Sequence, residues 1–365
     1  MIRARQALVE SVAFVGSGIL KANVICEGKP AEAICYEALT GPVKPGDVVV
    51  LNTTAVELGL GTGGHHFVIW VAGRDNLNAA PGPGHIMKMR YTPLQVRCLA
   101  VEEEASPHRD KVEGFSSLEG VPVVACELHS MIAPVATGIR ETAGDNARIV
   151  YVMTDGGALP LAYSRLVPEL REKGLIDAAI TCGHAFGGDF EAVSLHSALA
   201  AAWACAGADA IVVAMGPGQA GTGTKYGFSG ITQGEAANAA YSLGGTPIVA
   251  PRVSFRDERA RHFGVSHHTL TVLAQVAMRR CLVALPEIDR GDWRYLRRQL
   301  CHDGIDRKHL VLTEDGRPAV ERLRRENIAV ATMGRGIDDD PAFFLAAGAA
   351  GVLAGKVANA VRRVG

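Results

Sequence analysis

Five apolar runs constrain this chain more than any other feature: VPVVACEL, ARIVYVMT, DAAITCG, ADAIVVAM and TPIVAP, all beyond residue 120. Each has the length of a buried strand. Between them lie longer segments of helical pattern, such as LPLAYSRLVPELREKG and FEAVSLHSALAAAWACAG. A strand that is apolar at every position, rather than at alternate ones, has to be covered on both faces. Strand–helix alternation then predicts a mostly parallel sheet with helices on both sides, a Rossmann-like α/β domain over residues 111–365. The end of the chain adds one more unit of this kind, with Asp340-Pro341 as an N-cap and first-turn pair opening its last helix.

Residues 1–110 read differently. The Pro45-Gly46-Asp47 turn feeds the β-branched run Val48–Leu51, and HHFVIWVAG and HIMKMRYTPLQVRCLAVEEE supply further strand-like runs around Pro81-Gly82-Pro83-Gly84. Short strands broken by Gly and Pro predict a small β-rich, barrel-like domain. The charged stretch Glu102–Gly114 is the expected linker. Two domains also suit a length of 365 residues.

Composition sets the outer limits. An apolar fraction of 48% excludes a disordered chain, and a net charge of −1 excludes a generic polyanion-coating protein, so no nucleic acid is expected as a partner. That neutrality is a sum of opposites: residues 114–251 carry 6 Lys/Arg and 12 Asp/Glu, whereas residues 252–326 carry 16 and 11. The eight cysteines are scattered without a CxxC pair, as buried free thiols are. Glu10 and Ser11 interrupt any signal-peptide core, and the uncharged run Ala342–Gly355 is too short to span a bilayer. A cytoplasmic protein without a membrane partner is the simplest expectation.

Chemistry is expected at the loops that follow the strands, since the carboxyl ends of parallel strands share one edge. The most informative is AMGPGQAGTGTKYGFSG. Its Gly216, Gly218 and Gly221 match G-x-G-x-x-G but no helix begins at once, and Thr224 precedes Lys225, so neither a dinucleotide fingerprint nor a P-loop is met. What remains is a glycine-rich loop in which Thr222, Gly223, Thr224 and Lys225, with the three glycines, are expected to hold a small anionic or phosphorylated ligand. Lys225 also closes a stretch of 51 residues without Lys or Arg. In CGHAFGGDFEA, His184 ends a strand and Asp189 is placed to cap the next helix. These two are the candidate acid–base pair.

Other candidates read as structural. His65-His66 and His267-His268, taken as strand residues, point to opposite faces, so each pair offers at most one ligand to a site. Ser130, after His129, reads as a helix N-cap. Asp338–Asp340 admits a magnesium reading with Asp155 and Asp189, against the simpler one of acids collected at a helix N-terminus. No metal is assigned and the cofactor is unknown. The small-residue stretch Ala346–Gly351 supports an expectation of a homodimer.

The combination ELHSM, CGHAFGGD, AMGPGQAGTGTKYGFSG and MGRGIDDDPAFF resembles a bacterial family catalogued only as a domain of unknown function. The resemblance spans nearly the whole chain and implies a cytosolic context without an assigned activity. The sequence therefore leaves two readings: a small-molecule enzyme or nucleotide- or phosphate-binding protein, and a non-catalytic ligand sensor or assembly scaffold whose glycines serve close packing.

Overall fold

In the computed structural model, residues 1–16, 18–61, 63–74 and 82–362 are described. They divide into two compact units, Met1–Arg97 and Cys98–Gly365. The first holds a closed five-stranded barrel of β1 (Ala4–Gly16), β2 (Ile19–Cys26), β3 (Lys29–Tyr36), β4 (Val48–Asn52) and β5 (His66–Val71), in the order β1-β2-β3-β5-β4. All its pairings are antiparallel except β3 with β5. Alternate residues, among them Ala7, Val9, Ala22, Val24, Ala33, Val49 and Leu51, fill the interior, as the two-residue period of strands requires. Pro81, in the turn expected before Ile86–Lys88, lies outside the described residues.

The second unit carries an eight-stranded sheet. Its strands are β6 (Pro122–Ala125), β7 (Ile149–Thr154), β8 (Ala178–Cys182), β9 (Phe190–Ala192), β10 (Ala210–Met215), β11 (Thr246–Val249), β12 (Leu282–Pro286) and β13 (Leu310–Glu314). They lie in the order β9-β8-β7-β10-β6-β11-β12-β13, and every pairing is parallel. Every residue of β6, β7, β8 and β10 is buried, because both faces are covered. On one face Val124, Tyr151, Met153 and Val212 pack against α1 (Ile132–Ala143), α2 (Leu166–Glu172), α6 (Arg317–Arg325) and α7 (Pro341–Arg362). On the other, Val123, Val150, Val152 and Ile211 meet α3 (Leu195–Ala204) and α4 (Thr232–Ser242). A further helix, α5 (Arg290–His302), buries Leu296 and Leu300 in a third cluster with Val249, Val283 and Leu285.

Two expectations are corrected here. The charged stretch after residue 101 is not a free linker. Glu103 is buried and accepts the Ala100 amide, Glu102 accepts the Val193 amide at 2.9 Å, and Arg109–Glu113 is helical. The second concerns α7. At 22 residues, with an 18-residue window of mean hydropathy 1.5, it is long and apolar enough to cross a membrane, since it continues past Gly355. In the fold, 78% of that apolar window is buried within the protein.

Helix α7 starts at Pro341, immediately after Asp340, as the Asp-Pro pair predicts. Its small residues serve α1 in the same chain: a Cβ on Gly138 would lie 2.5 Å from the Gly348 carbonyl oxygen, and one on Gly351 would overlap the Val135 carbonyl. The face on which the homodimer expectation rested is therefore occupied within the chain. It also fixes the sign of a substitution. Gly→Ala in a helix interior ordinarily stabilises by about 1 kcal/mol, whereas Gly351→Ala should destabilise by about 1–3 kcal/mol, because the helices have to part. The urea midpoint measures this, and a midpoint equal to or above that of the parent would contradict the close packing.

Candidate functional site

The carboxyl ends of β6, β10 and β11 adjoin one another where the chain order of the sheet reverses: from β6 the chain proceeds to β7, β8 and β9 on one side, and from β10 it crosses to β11, β12 and β13 on the other. Crevices for ligands form at such points. At this point lies a fully buried carboxylate. Glu127, two residues beyond β6, accepts at Oε1 from His268 Nδ1 (2.7 Å), Gln219 Nε2 (2.8 Å) and Arg252 Nη1 (3.1 Å). Burial alone would raise this carboxyl; the His268 hydrogen bond, the Arg252 charge and Gln219 outweigh it and hold it at about 2. Its Oε2 is buried without a hydrogen-bond partner.

His268 belongs to a cluster of three imidazoles. A short ribbon, Val253–Ser254 with Gly264–Val265, turns the chain back, and the turn Ala260–His262 presents His262. Ser266 then caps the helix His267–Thr271, its Oγ accepting the His268 amide at 3.2 Å and lying 2.8 Å from His262 Nδ1. Ring centroids are 4.9 Å apart for His262 and His267, 5.0 Å for His262 and His268, and 4.3 Å for His267 and His268. One ring nitrogen of each lies within 4.8 Å of those of the other two, so these three residues can hold a metal ion. Burial, then the charge of Arg252, lowers His262 to about 3. Burial, then His268 and Arg261, lowers His267 to about 4. Both are neutral at physiological pH.

This corrects the reading of His267-His268 as a strand pair with at most one ligand. They stand in the first turn of a helix, where adjacent side chains are about 100° apart rather than 180°. The signal available in the sequence was Ser266, a good N-cap immediately before His267.

The glycine-rich loop lies against this cluster, but its anion-binding groups are engaged with one another. Gly221 bridges to Phe228, the Thr222 amide donates to the Gly227 carbonyl (2.8 Å), the Thr222 and Thr224 hydroxyls are 2.9 Å apart, and Thr224 Oγ1 accepts the Gly227 amide. Lys225 is exposed, its ammonium 5.4 Å from the centre of the Tyr226 ring. Gly216 is buried because the backbones of two loops meet there: a Cβ would overlap the Ala158 carbonyl, and Ala158 donates to the Pro217 carbonyl. Gly218 and Gly223 adopt positive φ (+96° and +76°). What the loop brings to the site is Gln219 and Phe228. The Phe228 ring stacks on His268 at 3.9 Å and 4°, and a Cβ on Gly221 would lie 4.0 Å from His268 Nε2. At the rim, Arg261 is exposed, makes no ion pair among the described residues, and lies 3.8 Å from where a Gly223 Cβ would be.

His184 and Asp189 are not brought together. His184 follows the carboxyl end of β8, its amide donating to Asp155 Oδ2 (3.0 Å). Asp189 lies near the opposite end of that strand, exchanging hydrogen bonds with Ala179 and pairing with Arg171 at 2.9 Å. Nor does Asp189 cap α3; β9 intervenes, and Ser194 is the cap. The Asp338–Asp340 run disperses as well: Asp338 pairs with Arg324, Asp339 accepts the Gly336 amide, and buried Asp340 takes Ser254 (2.7 Å) and Arg335 (3.1 Å). His66 is in the barrel strand β5, and His65 pairs with Glu32 at 3.2 Å. A cleft of about 490 Å³ opens between Phe255, Ile288 and Pro341, but Glu287, Asp289, Asp292 and Asp340 line it against the single Arg256. It is no place for an anion.

The chain belongs to the family described as "protein of unknown function (DUF3866)", whose model matches residues 32–351. That span takes in Glu127, Gln219, Arg252 and the three histidines. No curated protein and no solved structure matches the chain.

A further buried imidazole beside the crevice gives a pH prediction. His129 Nε2 lies 2.7 Å from Ser164 Oγ and Nδ1 3.1 Å from the Met215 carbonyl, and burial lowers it to about 4. As pH falls, the unfolded chain binds this proton first, near 6.5, and the folded chain only near 4. Stability is therefore lost progressively as pH falls between those values, by about 2 kcal/mol from pH 7 to pH 5. Urea unfolding at the two pH values reads the loss, and His129→Gln should remove this share. An unchanged pH slope in the variant would refute the assignment.

Proposed function

We propose that this chain is a small-molecule enzyme whose reaction centre is the crevice over β6, β10 and β11, and that its substrate carries an anionic group held at the rim. The observation that carries this is the Glu127–His268 pair. A buried carboxylate accepting from Nδ1 leaves Nε2 as the imidazole nitrogen free to face a reactant. Arg261 supplies the anion site: it is exposed, without an ion-pair partner among the described residues, and its charge acts on His267. Among the groups expected from the sequence, Lys225 is the one left to assist, and it is the weaker contributor because it is turned onto Tyr226. Free thiols at Cys26, Cys35, Cys126, Cys205, Cys281 and Cys301 support a reducing compartment such as the cytosol.

The second reading, a ligand sensor without turnover, is favoured by Gly216, Gly138 and Gly351, which serve close packing rather than chemistry. Thermal melts in inorganic phosphate, pyrophosphate and a set of small carboxylates and phosphate esters test the anion site. A ligand at a hundred times its Kd stabilises by about 2.7 kcal/mol. Arg261→Ala should weaken binding by about 1.5–3 kcal/mol, the range for a hydrogen bond to a charged group, and Lys225→Ala by less. The reading fails if none of these anions raises the melting temperature, or if Arg261→Ala binds like the parent. A ligand that binds through Arg261 and is returned unchanged after long incubation selects the sensor.

A further inference from the structure

We propose that His262, His267 and His268 together hold one divalent transition-metal ion of the zinc type, with a fourth position open to the crevice. The inference rests on the preceding reading for the location of the site and names its cofactor; the evidence for it is separate.

The first argument is geometric. The three nitrogens lie within 4.8 Å of one another. Imidazole nitrogens bound tetrahedrally at 2.0–2.1 Å from a metal stand about 3.3 Å apart, so small ring rotations close the set. The second is orientation. Glu127 takes Nδ1 of His268, and Ser266 Oγ, whose other lone pair accepts the His268 amide, is in place to take Nδ1 of His262. Both rings then present Nε2, and a carboxylate behind a ligating imidazole is the usual outer support of such a site. The third is an orphan. His267 Nε2 is buried without a hydrogen-bond partner, a costly state for a polar atom that a metal bond would relieve. Stacking against Phe228 accounts for where the His268 ring sits; it does not account for the unpartnered nitrogen on the neighbouring one.

Charge decides what completes the site. Arg252 is neutralised by Glu127 and Asp257, and Arg259 by its two-fold pairing with Asp257 at 2.8 and 2.7 Å. Arg261 is left over. A divalent cation beside it adds to a positive excess, so the fourth ligand is an anion, either hydroxide or the anionic group of the substrate, and metal and anion reinforce each other's binding. An all-imidazole set selects zinc, cobalt, nickel or copper over magnesium or calcium.

The test uses the full chain, stripped with chelator and titrated with Zn²⁺ against a chromophoric chelator in an anion-poor buffer, with Co²⁺ as the spectroscopic probe. The expected result is one Zn²⁺ per chain and visible Co²⁺ d–d bands without thiolate charge transfer. The affinity should be at least 100-fold weaker in His262→Gln/His267→Gln and 10- to 100-fold weaker in Glu127→Gln. Circular dichroism of the stripped proteins establishes that the variants are folded. Should the double variant not fold, His267→Gln alone, whose Nε2 has no protein partner to lose, is expected to bind at least 10-fold more weakly. The inference is overturned if the stripped protein takes up less than one equivalent, if folded variants keep parental affinity, or if cobalt–thiolate bands place the ion on cysteine. Inorganic phosphate is titrated into stripped protein separately. Phosphate binding without metal uptake sinks only this inference, and metal uptake with no response to any anion sinks only the anion site.

Discussion

A carboxylate taken out of water at the end of a central strand has to be answered from every side, and Glu127 organises the α/β unit in this way. Unpaired, its charge would cost several kcal/mol. Its partners come from three separate stretches of chain: Gln219 from the loop after β10, Arg252 from just beyond β11, and His268 from the helix that Ser266 caps. All three converge on one oxygen. Gln233 of α4 makes the same junction firmer, donating to the carbonyls of Ala125 and Ala250 at 2.8 Å each and so tying the end of β6 to the end of β11. Because each partner is itself anchored, loss of one leaves a charge buried rather than a gap that water can fill. The position of the imidazole cluster follows from this arrangement, since the His268 ring is fixed by Glu127 and the His262 ring by Ser266.

The architecture was largely legible, and the reason is physical. Runs such as IVYVMT and AIVVAM are apolar at every position, and only a sheet covered on both faces buries every residue of such strands. The barrel was legible through its Gly and Pro turns and the runs that form β4 and β5, while β1 to β3 carried no such signal in the sequence. Less legible was the role of charged residues near chain reversals. Glu102 and Glu103 look like linker residues in sequence, yet Glu103 satisfies the amide of Ala100 three residues back, and Glu102 that of Val193, in a segment it meets only after folding.

The site was legible in its place and not in its members. The candidate site lies among loops that follow parallel strands, and AMGPGQAGTGTKYGFSG borders it, but through Gln219 and Phe228 rather than through its threonines and lysine. The threonines had a nearer partner, each other and the Gly227 backbone, which no spacing rule anticipates. His184 and Asp189 sit five residues apart in the chain, but β8 doubles back into β9, which leaves them near opposite ends of a strand. His262 went unnoticed, and His267-His268 were read as a strand pair, because the helix that holds those two is one short turn, too brief for a period to register.

Helix α7 follows every strand of its sheet in the chain, yet it packs on α1, which comes near the start of that unit: Asn359 bonds to the Thr142 carbonyl across 217 residues. During synthesis the apolar face of α1 therefore waits, exposed, until the last helix is made. Contacts of such long sequence separation form slowly, and chains caught before closing them carry uncovered apolar surface that invites aggregation. The barrel, whose strands are all contained within the first 71 residues, has no such delay. On the ribosome the two units should mature at different times, and the α/β unit is the one with reason to depend on a chaperone.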